Sequence, residues 1–161
     1  MKFDLHTHHE RCGHAVGTIR DYIEAGIARG LQVIGISDHS PYFASESDRE
    51  QPGIAMAKSE FKRYVDEVLK LKEEYRGRIE VLLGVESDFF PEHADVYRKV
   101  YEQYPFDYII GSVHLSGGVS IFNKKTLERT DRPSEGRAKR AVLRSDRAIR
   151  AQRHVSNSRS H

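Results

Sequence analysis

Phe3-Asp4-Leu5-His6-Thr7-His8-His9-Glu10-Arg11-Cys12-Gly13-His14 opens the chain and decides how the rest of it is read. Lys2 to His6 alternates polar and apolar side chains, the period of a strand with one face buried. His6 and His8 arrive where that strand must end. Residues i and i+2 of a strand project to the same side, so the two imidazoles can converge on one point. A nitrogen-bound divalent metal needs that arrangement, with bonds of ~2.0–2.1 Å for zinc. His14, in the glycine-containing loop that follows, is within reach of a second ion. Alone, the stretch reads equally well as an accidental histidine run or a tag, although it is embedded in a strand pattern and is not a homopolymer.

The 161 residues suffice for one domain with its own core. The single cysteine, Cys12, excludes an intramolecular disulfide and fits a reducing compartment. No apolar run approaches the ~18–20 residues of a membrane span, and no signal-peptide core opens the chain. A soluble, cytoplasmic protein without a membrane partner is expected. The net charge of +2 hides a division. Residues 1–123 carry 14 Lys and Arg against 20 Asp and Glu, and residues 124–161 carry 12 against 4. All 15 Phe and Tyr lie at or before Phe122. Two compositions therefore meet near residue 124: a domain over 1–123, and a basic tail over 124–161 that is expected to be disordered or weakly helical.

Along the chain, Thr18 and Asp21 form a box-like helix start, and Ile19, Tyr22, Ile23 and Ile27 share one face before Gly30. Leu31–Ser37 is β-branched and nearly all apolar, as in a buried parallel strand, and it runs into Asp38-His39-Ser40-Pro41. Residues 42–57 form a long polar loop of the kind that often serves as a lid. Ser59–Tyr75 is an amphipathic helix. Ile79–Val85 is a third strand with Glu86 at its end, His93–Tyr104 a further helix, and Phe106–Val113 a fourth strand ending at His114. This β-α-β-α-β-α-β order predicts an α/β fold with parallel strands and right-handed crossovers.

Within that order, His6 and His8 follow strand one, Asp38-His39 strand two, Glu86 strand three and His114 strand four. In a (β/α) barrel these carboxyl ends gather on one rim and form the active site. Singly, His39 or His114 is more often a capping or core histidine, and Glu86 a solvated loop residue. Metal-ligating residue types at four strand ends out of four favour a shared metal site. His9, His93, His154 and His161 lack such placement and are read as solvated. Cys12 is read as a small buried thiol before a soft ligand.

The runs Asp4-Leu5-His6-Thr7-His8, Cys12-Gly13-His14, Ser37-Asp38-His39-Ser40, Gly84-Val85-Glu86 and Gly111-Ser112-Val113-His114 closely resemble the PHP (polymerase and histidinol phosphatase) superfamily, and within it the monofunctional histidinol-phosphatases. The resemblance extends over residues 1 to about 123. It implies a distorted (β/α)7 barrel with up to three divalent ions (zinc, manganese or iron) and a phosphate monoester, L-histidinol phosphate, as the substrate hydrolysed in histidine biosynthesis. Carried over, it places His6 and His8 on the first metal and Glu86 between the first and second. His114 falls on the second, and His14 with His39 on the third. No side-chain nucleophile is implied, because a metal-bridging hydroxide attacks phosphorus. Asp38, beside His39, is a candidate for orienting a ligand, its alternative role being a turn cap.

The family pattern continues with a further histidine and an Asp-x-His pair that have no counterpart here. From Lys124 the chain becomes Arg-, Ser- and Ala-rich without aromatics, a composition ill suited to burying a core. The expectation is a family member truncated by a shifted reading frame at about residue 124, with an incomplete barrel of four parallel strands. An open sheet edge, oligomerisation or aggregation, weak metal retention and little phosphatase activity follow from it. Rival readings are an amidohydrolase-like hydrolase, a PHP nuclease, a non-catalytic metal-binding remnant, and a nucleic-acid binder. The acidic body disfavours a polyanionic substrate, and the tail supports only non-specific, salt-sensitive nucleic-acid contact. Restoring the frame in the encoding DNA is expected to reveal the missing histidine and Asp-x-His; their absence from both other frames would refute the frameshift.

Overall fold

Buried β-branched residues organise the first part of the chain. In the computed structural model, which describes residues 1–116 and 119–120, a parallel sheet runs β1 (Phe3–Asp4), β2 (Val33–Ile36) and β3 (Glu80–Leu83) in that order. Phe3 pairs with Val33 and Asp4 with Ile34, while Val33–Ile36 pairs residue by residue with Glu80–Leu83. All four residues of β2 are buried, as expected of a central parallel strand. Residues 1–110 form one compact unit, and the described residues from Gly111 onward belong to a second.

Helices connect the strands, as the sequence order requires. α1 (Ile19–Ala28) begins with the predicted capping box: Asp21 N–H donates to the Thr18 hydroxyl, and Thr18 N–H donates to the Asp21 carboxylate at 2.7 Å. Beyond its C-terminus, Gly30 takes φ +72°, a left-handed conformation natural to glycine. α2 (Lys58–Glu74) buries Phe61, Tyr64, Val65, Val68 and Leu71, one face at helical spacing. They pack with Ile34, Ile36, Val81, Leu83 and Val85 of the strand segments and with Ile19 and Ile23 of α1. The Tyr64 hydroxyl lies 2.9 Å from Ile36 O and 2.7 Å from Gly84 O, serving two carbonyls at the carboxyl ends of the strands.

Four sequence expectations are corrected. The strand starting at Ile79 does not continue unbroken to Val85. It ends at Leu83, and Glu86 instead opens β4 (Glu86–Asp88), whose neighbour is β5 (Ile110–Ser112), so the four expected strands do not share one sheet. The break falls at Gly84, where the Tyr108 ring lies so close that an added Cβ would sit 2.3 Å from its Cζ. The fourth strand is shorter than Phe106–Val113, because Asp107 grips Leu83 instead: its N–H donates to Leu83 O at 2.8 Å and its carboxylate accepts Leu83 N–H at 2.7 Å. The third helix is confined to α3 (Ala94–Tyr101), preceded by a 3-10 turn over Pro91–His93. Lastly, Phe3 is 57% exposed and the β1 ladder spans two residues. Among the described residues that strand is an edge paired with β2, so its alternation does not bury a face.

The long loop after β2 is tied down at several points. Asp48 accepts hydrogen bonds from the Ser59 N–H and hydroxyl at the start of α2, and Met56 N–H donates to His39 O. In the second unit, β6 (Leu115–Ser116) and β7 (Val119–Ser120) pair antiparallel. The expected basic tail lies outside the described residues. Among the described residues, no helix is long and apolar enough to cross a membrane.

Tyr108 fills the space above Gly35 and Gly84, and its hydroxyl donates to Leu5 O at 2.7 Å. Gly84→Ala is therefore expected to destabilise the protein by about 1–3 kcal/mol through overpacking, measured by urea denaturation. An unchanged midpoint would show that the ring moves aside freely.

Candidate metal centre

Beyond Asp4 the β1 ladder stops, and side chains hold the segment that follows. Thr7 N–H donates to Ser37 Oγ at 3.1 Å, Thr7 Oγ1 donates to Gly35 O at 2.9 Å, and Ser37 N–H donates to Thr7 O at 3.3 Å. Thr7 is thereby buried between its neighbours. The Nε2 atoms of His6 and His8 lie 3.2 Å apart. Glu86 Oε2 lies 3.3 Å from the first and 3.1 Å from the second. Ion pairs elsewhere in this protein stand at separations such as 2.6 Å for Arg11–Glu67 and 3.4 Å for Arg11–Glu60. Ligand atoms around a tetrahedral ion with ~2.0–2.1 Å bonds stand about 3.3 Å apart. Two imidazole nitrogens and a carboxylate oxygen at that separation fit a divalent cation.

Two further groups adjoin this one. Cys12, His8 and His14 place their ligand atoms within 4.8 Å of one another. The His8 and His14 rings are 4.3 Å apart at their centroids, and Cys12 Sγ is 3.9 Å from His14 Nε2. Cys12 is a fully buried thiol, as expected, and donates to His9 O. Gly13, at φ +87°, brings this loop so near Gly53 that an added Cβ would stand 2.9 Å from its backbone. His39 bridges Glu86 through the backbone. Its Nδ1 lies 3.0 Å from Ser40 O and its Nε2 3.4 Å from Asp88 Oδ2. The Tyr42 hydroxyl donates to the same Asp88 oxygen at 2.7 Å. His114 follows β5, partly buried, in the second unit.

Asp38 is fully buried and faces two histidines: Oδ1 is 3.4 Å from His8 Nδ1, and Oδ2 is 3.3 Å from His9 Nδ1. Burial works against a charge on His8, but bonds to Asp38, Cys12 and Glu86 outweigh it and push its pKa up to about 11. Burial also opposes ionisation of Asp38, yet His8 and His9 hold its pKa below the usual carboxylate value. For His14, burial and then the neighbouring His8 lower the pKa. The His39 pKa is raised in spite of burial, through Asp88 and the Ser40 carbonyl. The site thus concentrates groups that are stabilised by a positive charge at their centre.

His9 corrects the sequence reading. It is 2% exposed rather than solvated, with its ring tilted against Tyr64 and its Nδ1 towards Asp38, and burial lowers its pKa. Its Nε2 is a buried nitrogen without a hydrogen-bond partner among the described residues. No local pattern marked it, because its burial comes from α2. His93 is exposed, as expected, whereas His154 and His161 lie outside the described residues. Asp88 and Tyr42 also escaped the sequence reading. For Asp88 a signal was present: it stands two residues after Glu86, the same spacing that singled out His6 and His8.

The chain is 36% identical over 120 residues to the probable histidinol-phosphatase of Deinococcus radiodurans, covering 74% of this chain and 45% of that protein. It is 34% identical over 120 residues to the histidinol-phosphatase of Bacillus subtilis, covering 71% of this chain and 44% of that one. The chain thus spans less than half the length of these curated relatives. A histidinol phosphate phosphatase from Lactococcus lactis, solved with zinc, L-histidinol and phosphate, shares the fold with a TM-score of 0.60 at 22% identity, over 74% of this chain and 42% of that one. The family model described as PHP domain matches residues 4–150, and this chain belongs to the PHP domain family.

Proposed function

We propose that the chain provides the metal-holding cluster of a metal-dependent phosphomonoesterase that hydrolyses L-histidinol phosphate to histidinol and phosphate, a step of histidine biosynthesis. The convergence of His6 Nε2, His8 Nε2 and Glu86 Oε2 within 3.1–3.3 Å carries this reading. Similarity to histidinol-phosphatases supports the substrate.

In this reading His6, His8 and Glu86 would hold one ion and His14 with His39 another, while Asp38 fixes the ring of His8 from behind. Imidazole and carboxylate donors suit zinc, manganese or iron. Bound there, such ions supply positive charge to phosphoryl oxygens and lower the pKa of water. The chain's own part is to set the spacing of the donors. Thr7 and Ser37 hold the His6–His8 segment against β2, and the buried Glu86 keeps its charge directed at both imidazoles.

Dialysis against buffered zinc followed by metal analysis, with phosphate release from L-histidinol phosphate measured alongside, tests the proposal. Zinc binding with weak phosphate release is expected, both lost with a chelator and reduced about 100-fold in His8→Ala. Phosphate release that persists in the chelator-treated protein would refute a metal-dependent reaction.

The raised pKa of His8 adds a pH signature. Without metal, its folded pKa of about 11 lies above the usual 6.5, so the stability it contributes is complete below pH 6.5 and is lost as pH rises towards 11. Metal must displace that proton. Zinc affinity is therefore expected to rise about tenfold per pH unit above neutrality, read by chelator competition, and a flat profile would contradict a protonated His8.

A further inference from the structure

Asp88 has no counterpart in the ligand set that the family resemblance implies, yet the structure treats it like Glu86. The two carboxylates stand two residues apart on β4, so they project to one side of the strand. Both are 4% exposed. Each faces the Nε2 of an imidazole whose Nδ1 is fixed from behind: His8 by Asp38, His39 by the Ser40 carbonyl. Fixing Nδ1 in this way sets the tautomer that leaves Nε2 as a metal donor.

The donor atoms of His39 and Asp88 lie close enough to share one ion. His39 Nε2 and Asp88 Oδ2 stand 3.4 Å apart, close to the 3.1–3.3 Å of the His6, His8 and Glu86 atoms. The Tyr42 hydroxyl, 2.7 Å from Asp88 Oδ2, orients this carboxylate as ligating carboxylates are usually oriented.

We infer that Asp88 is a metal-ligating carboxylate which, with His39 Nε2, holds a divalent cation of the zinc or manganese type at a position distinct from that of His6 and His8. The inference rests on the reading of this protein as a metal-dependent hydrolase. It makes β4 the strand that supplies one carboxylate to each of two ion positions. It also gives Tyr42, on the loop after β2, a positioning role through Asp88.

Zinc bound per chain, after equilibrium dialysis of the full chain at a free zinc concentration that saturates the wild type, tests it. Asp88→Asn is expected to bind one zinc fewer, His39→Ala to lose the same one, and the double variant to lose no more than either. Asp88→Glu is expected to restore part of the binding. Metal-free Asp88→Asn is expected to fold with a thermal midpoint below that of the metal-free wild type, since the contacts of the carboxylate with His39 and Tyr42 are weakened. Asp88→Asn that binds as many zinc ions as the wild type, with affinity within twofold, overturns the inference and leaves the hydrolase reading standing. So does a metal-free Asp88→Asn that fails to fold, because it would make the carboxylate a structural group. A wild-type chain that binds no zinc overturns both.

Discussion

A buried carboxylate needs a partner of opposite charge, and Glu86 is placed facing two imidazoles. Most of the architecture follows from keeping those three groups at their separation. β2 and β3 bring the strand ends together, α2 closes the back of the sheet, and the His6–His8 segment is held by hydroxyls where the ladder has ended. That arrangement is costly without a cation. The proton retained by His8 is the available substitute.

The parallel strands and the first two helices were legible because each rests on a local signal. The Thr18–Asp21 box, the helical spacing from Phe61 to Leu71 and the β-branched run of β2 all appear where their patterns lie. Boundaries were less legible where distant residues intervene. The third strand ends before Gly84, where Tyr108, more than twenty residues on, occupies the space a side chain would need. Asp107 replaces strand pairing with a grip on Leu83 for the same reason: a contact across the fold outcompetes local propensity.

The candidate site was legible to the extent that its residues sit at strand ends. His6, His8 and Glu86 are brought together, His14 lies beside His8, and His39 is joined to Glu86 through the backbone. What escaped were groups whose role depends on packing. His9 looks like one more member of a histidine run, and only the wall formed by Tyr64 distinguishes it. Asp88 needed the two-residue period to be applied a second time, and Tyr42 comes from a loop without any pattern at all.

Tyr108 joins two parts of the molecule that are usually discussed separately. Its ring rests on Gly35 and Gly84 in the interior, while its oxygen holds the carbonyl of Leu5, immediately before His6. Interior packing and the position of His6 are therefore mechanically continuous through one phenol. Changes in the hydrophobic filling will be felt in the spacing of His6 and His8 as well as in stability.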